Sequence, residues 1–258
     1  MTSRPLPSAT SQWSARNTAA PALVAETTLV LRWIADGGSL DRVSEAIRSG
    51  ELLRLRTQSS RVAFAAAIRR RYLDRTPVWA LTDLVRASRR PGDDLRHLLY
   101  IHFCREDAFA RSLAQDFLAA RWQAGREHLP TADAVSFLES AVEQQPHIRS
   151  WTMSGRLKLV TNTLRAFTEF GLLSGVLKRS LRKPAPSSLV IEHLLRLIVP
   201  DRTAGASILD NPWWRLFLLE PAEVADHLGR LARERRIRYE RTGSTVILEI
   251  PDDLESRP

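Results

Sequence analysis

A chain of 258 residues with 44% hydrophobic and 26% charged residues is long enough for one large domain or two to three small ones, each with its own core. Its net charge of +9 points to a polyanionic partner, either nucleic acid or an anionic surface. Its one cysteine, Cys104, excludes an intrachain disulfide and fits a reducing cytoplasm. The first residues carry no signal-peptide pattern, and no apolar run is long enough to cross a bilayer, so neither secretion nor a membrane span is expected.

Residues 1–22, rich in Ser, Ala, Thr and Pro, read as a disordered N-terminal extension. Residues 23–130 read as an N-terminal helical domain. A helix over 23–35 stops at Gly37-Gly38, and Ser39 caps a second one through Arg48. A third runs from about Ser60 to Asp74 with Ser59 or Ser60 as its cap. Thr76-Pro77 starts a fourth, VWALTDLVRAS. Residues 95–124 form one long helical region with a break near Arg105-Glu106.

Residues 131–250 read as a C-terminal region of winged-helix-like elements. The helix AVSFLESAVEQ is closed by Pro146. The stretch SWTMSGRLKLVTNTLRAFTEFGLL follows, then the basic segment GVLKRSLRKPAPSS. The helix LVIEHLLRLIV comes next, followed by WWRLFLL, in which one of Trp213 and Trp214 faces the core and the other is half exposed. A helix from Pro221 leads to two β-rich runs about Thr242-Gly243, a hairpin signal. Residues 251–258 form a polar tail. The fold class is mainly α, with small β-hairpin wings.

On a helix of 100° per residue, Met153, Leu157, Val160, Leu164 and Phe167 form one narrow apolar stripe, expected to pack on a core. Ser154, Lys158, Thr161, Asn162 and Arg165 share another flank. Cations, hydroxyls and an amide are the groups that bond phosphates and base edges. Asn162 is the candidate for a base edge. Lys178, Arg179, Arg182 and Lys183 follow as a basic wing. Helix, turn, longer helix and wing is the order of a winged helix-turn-helix that binds duplex DNA. The same flank would also suit an ordinary amphipathic helix with a solvated face.

Two further arginine groups are secondary candidates. Arg235, Arg236, Arg238 and Arg241 surround the C-terminal hairpin, where basic residues at a helix end are also favoured by the macrodipole. Arg54, Arg56 and Arg61 lie near the start of the third helix. The run Arg69-Arg70-Arg71 spreads round more than half a helix, so at least one of the three must lie against packed surface. No phosphate loop, dinucleotide fingerprint, zinc-protease motif or nucleophile elbow is present. The six histidines are scattered and read as satisfied or solvated. No catalytic residue, metal or cofactor is therefore expected.

The segments RTQSSRVAFAAAIRRRYLDRTPVWALTDL, FLAARWQAG and SWTMSGRLKLVTNTLRAFTEFGLL with its basic loop, together with the C-terminal hairpin, resemble the BrxA family of bacteriophage exclusion (BREX) defence components. The resemblance runs from about Thr27 to Ile250. It implies a mostly helical, non-enzymatic protein that binds double-stranded DNA beside a methyltransferase, an ATPase and a phosphatase-like component. The extension through Ala22 looks longer than usual for the family. A protein-interaction adaptor and a regulator of the defence operon are the alternative readings.

Overall fold

The computed structural model describes residues 6, 11–18, 20–176, 178–199 and 203–251. Helices α1 (Val24–Ala35), α2 (Val43–Ser49), α3 (Gln58–Ile68) and α4 (Val78–Ser88) surround α5 (Asp94–Glu106). The cap of α3 is Thr57, whose hydroxyl accepts from the Ser60 amide at 3.2 Å. Thr57 has the extended backbone that an N-cap needs, whereas Ser59 and Ser60 already lie inside the first turn. Ser39 makes no cap hydrogen bond, and its helix opens with a 3-10 turn, Leu40–Arg42.

α5 is covered on nearly every side, with Leu95 and every residue from His97 to Arg105 buried. The long helical region breaks at Asp107, whose extended backbone separates α5 from α6 (Ala108–Ser112). A π stretch, Leu113–Leu118, joins α6 to α7 (Ala119–Gln123). Among the described residues no helix is long and apolar enough to cross a membrane.

Of the lead-in expected to be disordered through residue 22, residues 11–18 and 20–22 are instead held on the core through Trp13, Asn17, Ala20 and Ala22, with Gln12 and Arg16 exposed, while residues 1–5, 7–10 and 19 lie outside the described residues. Ala15–Thr18 form a 3-10 turn, and Trp13 is 5% and Asn17 2% exposed. Arg71, in the π turn that ends α3 (Arg69–Leu73), holds this strap in place. Its guanidinium donates to the Pro21 carbonyl, to Asn17 Oδ1 at 2.5 Å and to the Ala20 carbonyl at 2.9 Å. It also lies 4.9 Å from the Phe103 ring. The Tyr72 hydroxyl adds a bond to the Ala22 carbonyl at 2.7 Å. Composition misread the strap because its partners lie about fifty residues away in sequence.

The rest of the chain builds two units in succession. The first contains β1 (His128–Leu129), α8 (Thr131–Ser140), a 3-10 turn at Pro146–Ser150, α9 (Met153–Glu169), β2 (Leu173–Ser174) and β3 (Arg179–Leu181). Its antiparallel sheet has the order β1-β3-β2, with His128 opposite Ser180 and Leu173 opposite Leu181. The second contains α10 (Ser188–Ile198), β4 (Thr203–Ala204), a 3-10 turn at Pro212–Phe217, α11 (Pro221–Arg233), β5 (Arg238–Thr242) and β6 (Thr245–Glu249). Its sheet order is β4-β6-β5, the same arrangement. The first unit starts at β1, so the boundary expected at 130/131 falls inside it. The core crosses that boundary too, because one buried cluster extends from Trp13 to Ile250.

The stretch WWRLFLL is a 3-10 turn rather than an α-helix, and Trp213 and Trp214 are both buried, at 5% and 1% exposure. The indole of Trp214 donates to the Ile208 carbonyl at 2.7 Å, and Arg111 lies 5.7 Å from the Trp213 ring. The tighter turn removes the half-exposed position that α-helical spacing had assigned to one of them.

Candidate nucleic-acid interface

α9 is positioned locally before it is packed. Thr152 caps it by accepting from the Gly155 amide at 3.1 Å. Arg156 donates back to the Ile148 carbonyl at 3.0 Å and faces Glu139 of α8 at 3.9 Å, which fixes the turn between the two helices. From Leu159 onward the helix lies on the core, with Val160, Leu164 and Phe167 buried. Tyr100 of α5 gathers Phe167, Phe170 and Phe217 about its ring at centroid distances of 5.8, 5.4 and 5.8 Å. Offset and edge-on contacts of this kind add to the area they bury.

The apolar stripe does not pack along its whole length. Met153 is 63% and Leu157 49% exposed. The first two turns of α9 extend past the core, so only the later three stripe residues are covered.

On the polar flank, Ser154, Lys158, Thr161 and Arg165 are exposed. Lys158 has no ion-pair partner among the described residues. Arg165 stands 3.7 Å from Glu169, one helical turn on; such an exposed pair holds a side chain only weakly. Asn162 differs from its neighbours. Its amide donates to the carbonyls of Asn17 at 2.9 Å and Thr18 at 3.3 Å, so the N-terminal strap occupies the group expected to read a base edge.

The wing is divided in the same way. Lys178 and Arg182 are exposed, although Arg182 also donates to Ser174 Oγ at 3.1 Å. Arg179 is half-buried and donates to Thr131 Oγ1 at 3.0 Å, tying β3 to the start of α8. Lys183 is not an open cation. Its ammonium bonds both carboxylate oxygens of Glu223 on α11 at 2.5 and 2.6 Å, which joins the two units. Glu223 titrates below the usual carboxylate range despite its burial, because the Glu220 amide and Lys183 favour its charged form.

Among the secondary arginines, Arg61 and Arg236 are tied into the fold and the others are exposed. Arg61 donates to the carbonyls of Leu55 and Arg48, across Gly50. Arg54 and Arg56 are exposed. Arg236 bonds the buried Glu192 of α10 at 2.6 Å. Arg238 lies between Glu240 at 2.9 Å and Glu249 at 3.3 Å. Arg235 is exposed, with left-handed backbone just past α11 (φ 56°). Arg241 is exposed and reaches the Gly243 carbonyl at 3.5 Å.

The model of the BrxA family matches residues 11–197. The chain belongs to the BrxA family. The BrxA match takes in the strap, α9 and the basic wing, and it ends inside α10, before the C-terminal hairpin that the resemblance had included. It also begins at the strap, so the segment from residue 11 is part of the family's own span rather than an extension to it. The crystal structure of an uncharacterized protein from Magnetospirillum magneticum has a similar fold, with a TM-score of 0.61 at 15% identity over 81% of this chain and all of that one. No curated protein matches the chain.

Sequence reasoning missed one polar cluster in this BrxA protein altogether. His193 Nδ1 bonds Asp83 Oδ2 at 2.8 Å, and its Nε2 lies 3.0 Å from Nε2 of His102. With the Nδ1 proton directed at Asp83, Nε2 of His193 accepts and His102 Nε2–H donates, so both rings are neutral. Burial pushes both pKa values down, and for His102 the neighbouring His193 adds to the effect. The two rings are 91 residues apart in sequence, and neither shares a local motif with the other.

Proposed function

We propose that the chain is a non-catalytic, duplex-DNA-binding component of a BREX phage-defence system. Family membership supports the defence role. The strand-helix-turn-helix-hairpin order of the first unit supports a winged helix-turn-helix reading of α8, α9 and the β2–β3 wing. One observation carries the DNA reading: α9 buries Val160, Leu164 and Phe167 while Lys158 and Arg165 stay exposed, with exposed Lys178 and Arg182 on the hairpin that follows. These four cations would contact phosphates. Ser154 and Thr161 are the remaining uncharged groups on the flank, so binding is expected to be largely electrostatic, with weak sequence preference. Affinity should then fall by roughly 0.9 log units per log unit of salt for each phosphate contacted.

The test is fluorescence anisotropy on duplex DNA over a salt series. Wild-type protein should show a steep slope, and Lys158→Glu/Arg165→Glu should reduce both slope and affinity. Equal binding by the double variant would remove the site. The exposed Met153 and Leu157 favour a second reading, in which the projecting turns of α9 dock another protein of the complex. Partners retained in pull-downs after nuclease treatment, and lost in Met153→Ser/Leu157→Ser, would support it.

A further inference from the structure

Away from α9, a cavity of about 430 Å³ lies between the N-terminal strap and the α5–α6 junction. Arg16, Arg75, Arg105 and Arg111 line it, with Glu106 as the one acid among its described lining residues. The carboxylates of Asp107, Asp116 and Glu106 act on the charge of Arg111, so the cations open to a ligand are those at the rim. Arg105 and Arg111 are 7% and 2% exposed. Arg111 is braced by a bond to the Cys104 carbonyl at 3.0 Å, with the Trp213 ring beside it. Asp107, the nearby buried acid, already accepts from the Ala110 amide at 2.8 Å as the cap of α6. Arg16 and Arg75 are exposed at the rim and have no ion-pair partner among the described residues.

We propose that this cavity binds a small phosphate-bearing ligand of about nucleotide size. Guanidinium groups present planar, forked donors that match phosphate oxygens two at a time. Arg16 and Arg75 at the rim offer such donors to solvent. The volume lies at the lower end of the range for small-molecule pockets; it holds a mononucleotide and not a length of duplex. Ser11 and Ser14 on the strap wall bring polar groups to the same space. The strap is tied to the turn before α9, since the Trp13 amide donates to Gln145 Oε1 at 3.1 Å and the Trp13 carbonyl is 2.8 Å from His147 Nε2. A bound anion would therefore hold down the segment that covers Asn162.

Isothermal titration of the full chain with inorganic phosphate, pyrophosphate, AMP and ATP at constant ionic strength tests the site. At least one should saturate at one per chain and slow hydrogen exchange over residues 11–18. Arg16→Glu/Arg75→Glu, two exposed rim positions, should weaken that binding at least about tenfold and leave duplex binding unchanged, whereas Lys158→Glu/Arg165→Glu should do the reverse. Should the charge-reversed rim variant not fold, Arg16→Gln/Arg75→Gln takes its place. Absence of saturation with all four anions at millimolar concentration would overturn the proposal. So would equal competition by chloride, or stoichiometric displacement by duplex DNA.

Discussion

The two C-terminal units share a strand order and a helix-then-hairpin plan, yet they differ in which of their cations an acid neutralises, although Arg241 of the second also stays exposed. In the second, Arg236 is neutralised by Glu192 and Arg238 by Glu240 and Glu249. In the first, Lys158, Lys178 and Arg182 have no acidic partner among the described residues, and Arg165 has only an exposed one. Lys183, nominally part of the first unit's wing, serves as the clasp to the second. Counting basic residues would rank the units as equals. Only the acids that fold beside each cation distinguish a surface offered to a polyanion from one that holds the molecule together.

Phe167→Ala should have the largest effect, because it empties the space beside Tyr100 that anchors α9. A buried Phe→Ala change costs about 3–5 kcal/mol, readable by chemical denaturation. A small loss would mean that the first unit does not depend on this cluster to present its flank. Next in size, Lys158→Glu/Arg165→Glu should weaken duplex binding by about tenfold or more. Arg238→Ala, which removes a cation already paired with Glu240 and Glu249, should leave binding within about twofold. Equal losses from both would erase the distinction between the units.

The histidine pair gives an intermediate effect on how the second unit is held. His193 on α10 meets Asp83 of α4 and His102 of α5; burial lowers its pKa against the opposing effect of Asp83, and Arg196 and Arg105 lower it further. The folded pKa values of both rings lie below the usual 6.5. Below pH 6.5 the unfolded chain therefore binds protons that the folded chain resists. Stability is retained above that pH and falls as pH drops towards the folded values, by at most about 1.4 kcal/mol per pH unit for each ring. Denaturation midpoints at neutral and mildly acidic pH should show this, and His102→Leu should flatten the slope. A small effect on stability is expected from Asn162→Ala. It should cost about 0.5–1.5 kcal/mol of stability through the lost strap bond and leave DNA affinity unchanged. A selective loss of affinity for particular sequences would instead return Asn162 to a base-reading role.

Much of the helical skeleton was legible because apolar spacing, Pro and Gly mark local structure directly. The helices expected over 23–35 and from about Ser60 to Asp74, found at Val24–Ala35 and at Gln58–Ile68 with its π turn Arg69–Leu73, the turn at Pro146 and the hairpin about Gly243 all follow from such signals. The flank of α9 was legible as a geometric set, and four of its five members are exposed. Asn162, Lys183 and Arg61 have partners within the fold that the sequence did not reveal, for one shared reason. Each is satisfied by a partner that spacing cannot place: the strap carbonyls 144 and 145 residues away, a carboxylate 40 residues away, and carbonyls on the far side of a turn. The strap itself was misjudged because its Ser-, Ala- and Pro-rich composition hides one tryptophan and one asparagine with buried destinations.

By itself the sequence determined the helical class, the basic character and the amphipathic face of α9, since periodicity and charge are carried by neighbouring residues. Tertiary structure alone decided which cations remain open, that two arginine-bearing stretches and a strap enclose a cavity, and that two histidines 91 residues apart share one proton network. These depend on contacts between distant segments, and a polar group's availability is set by whatever the fold brings within hydrogen-bond reach of it.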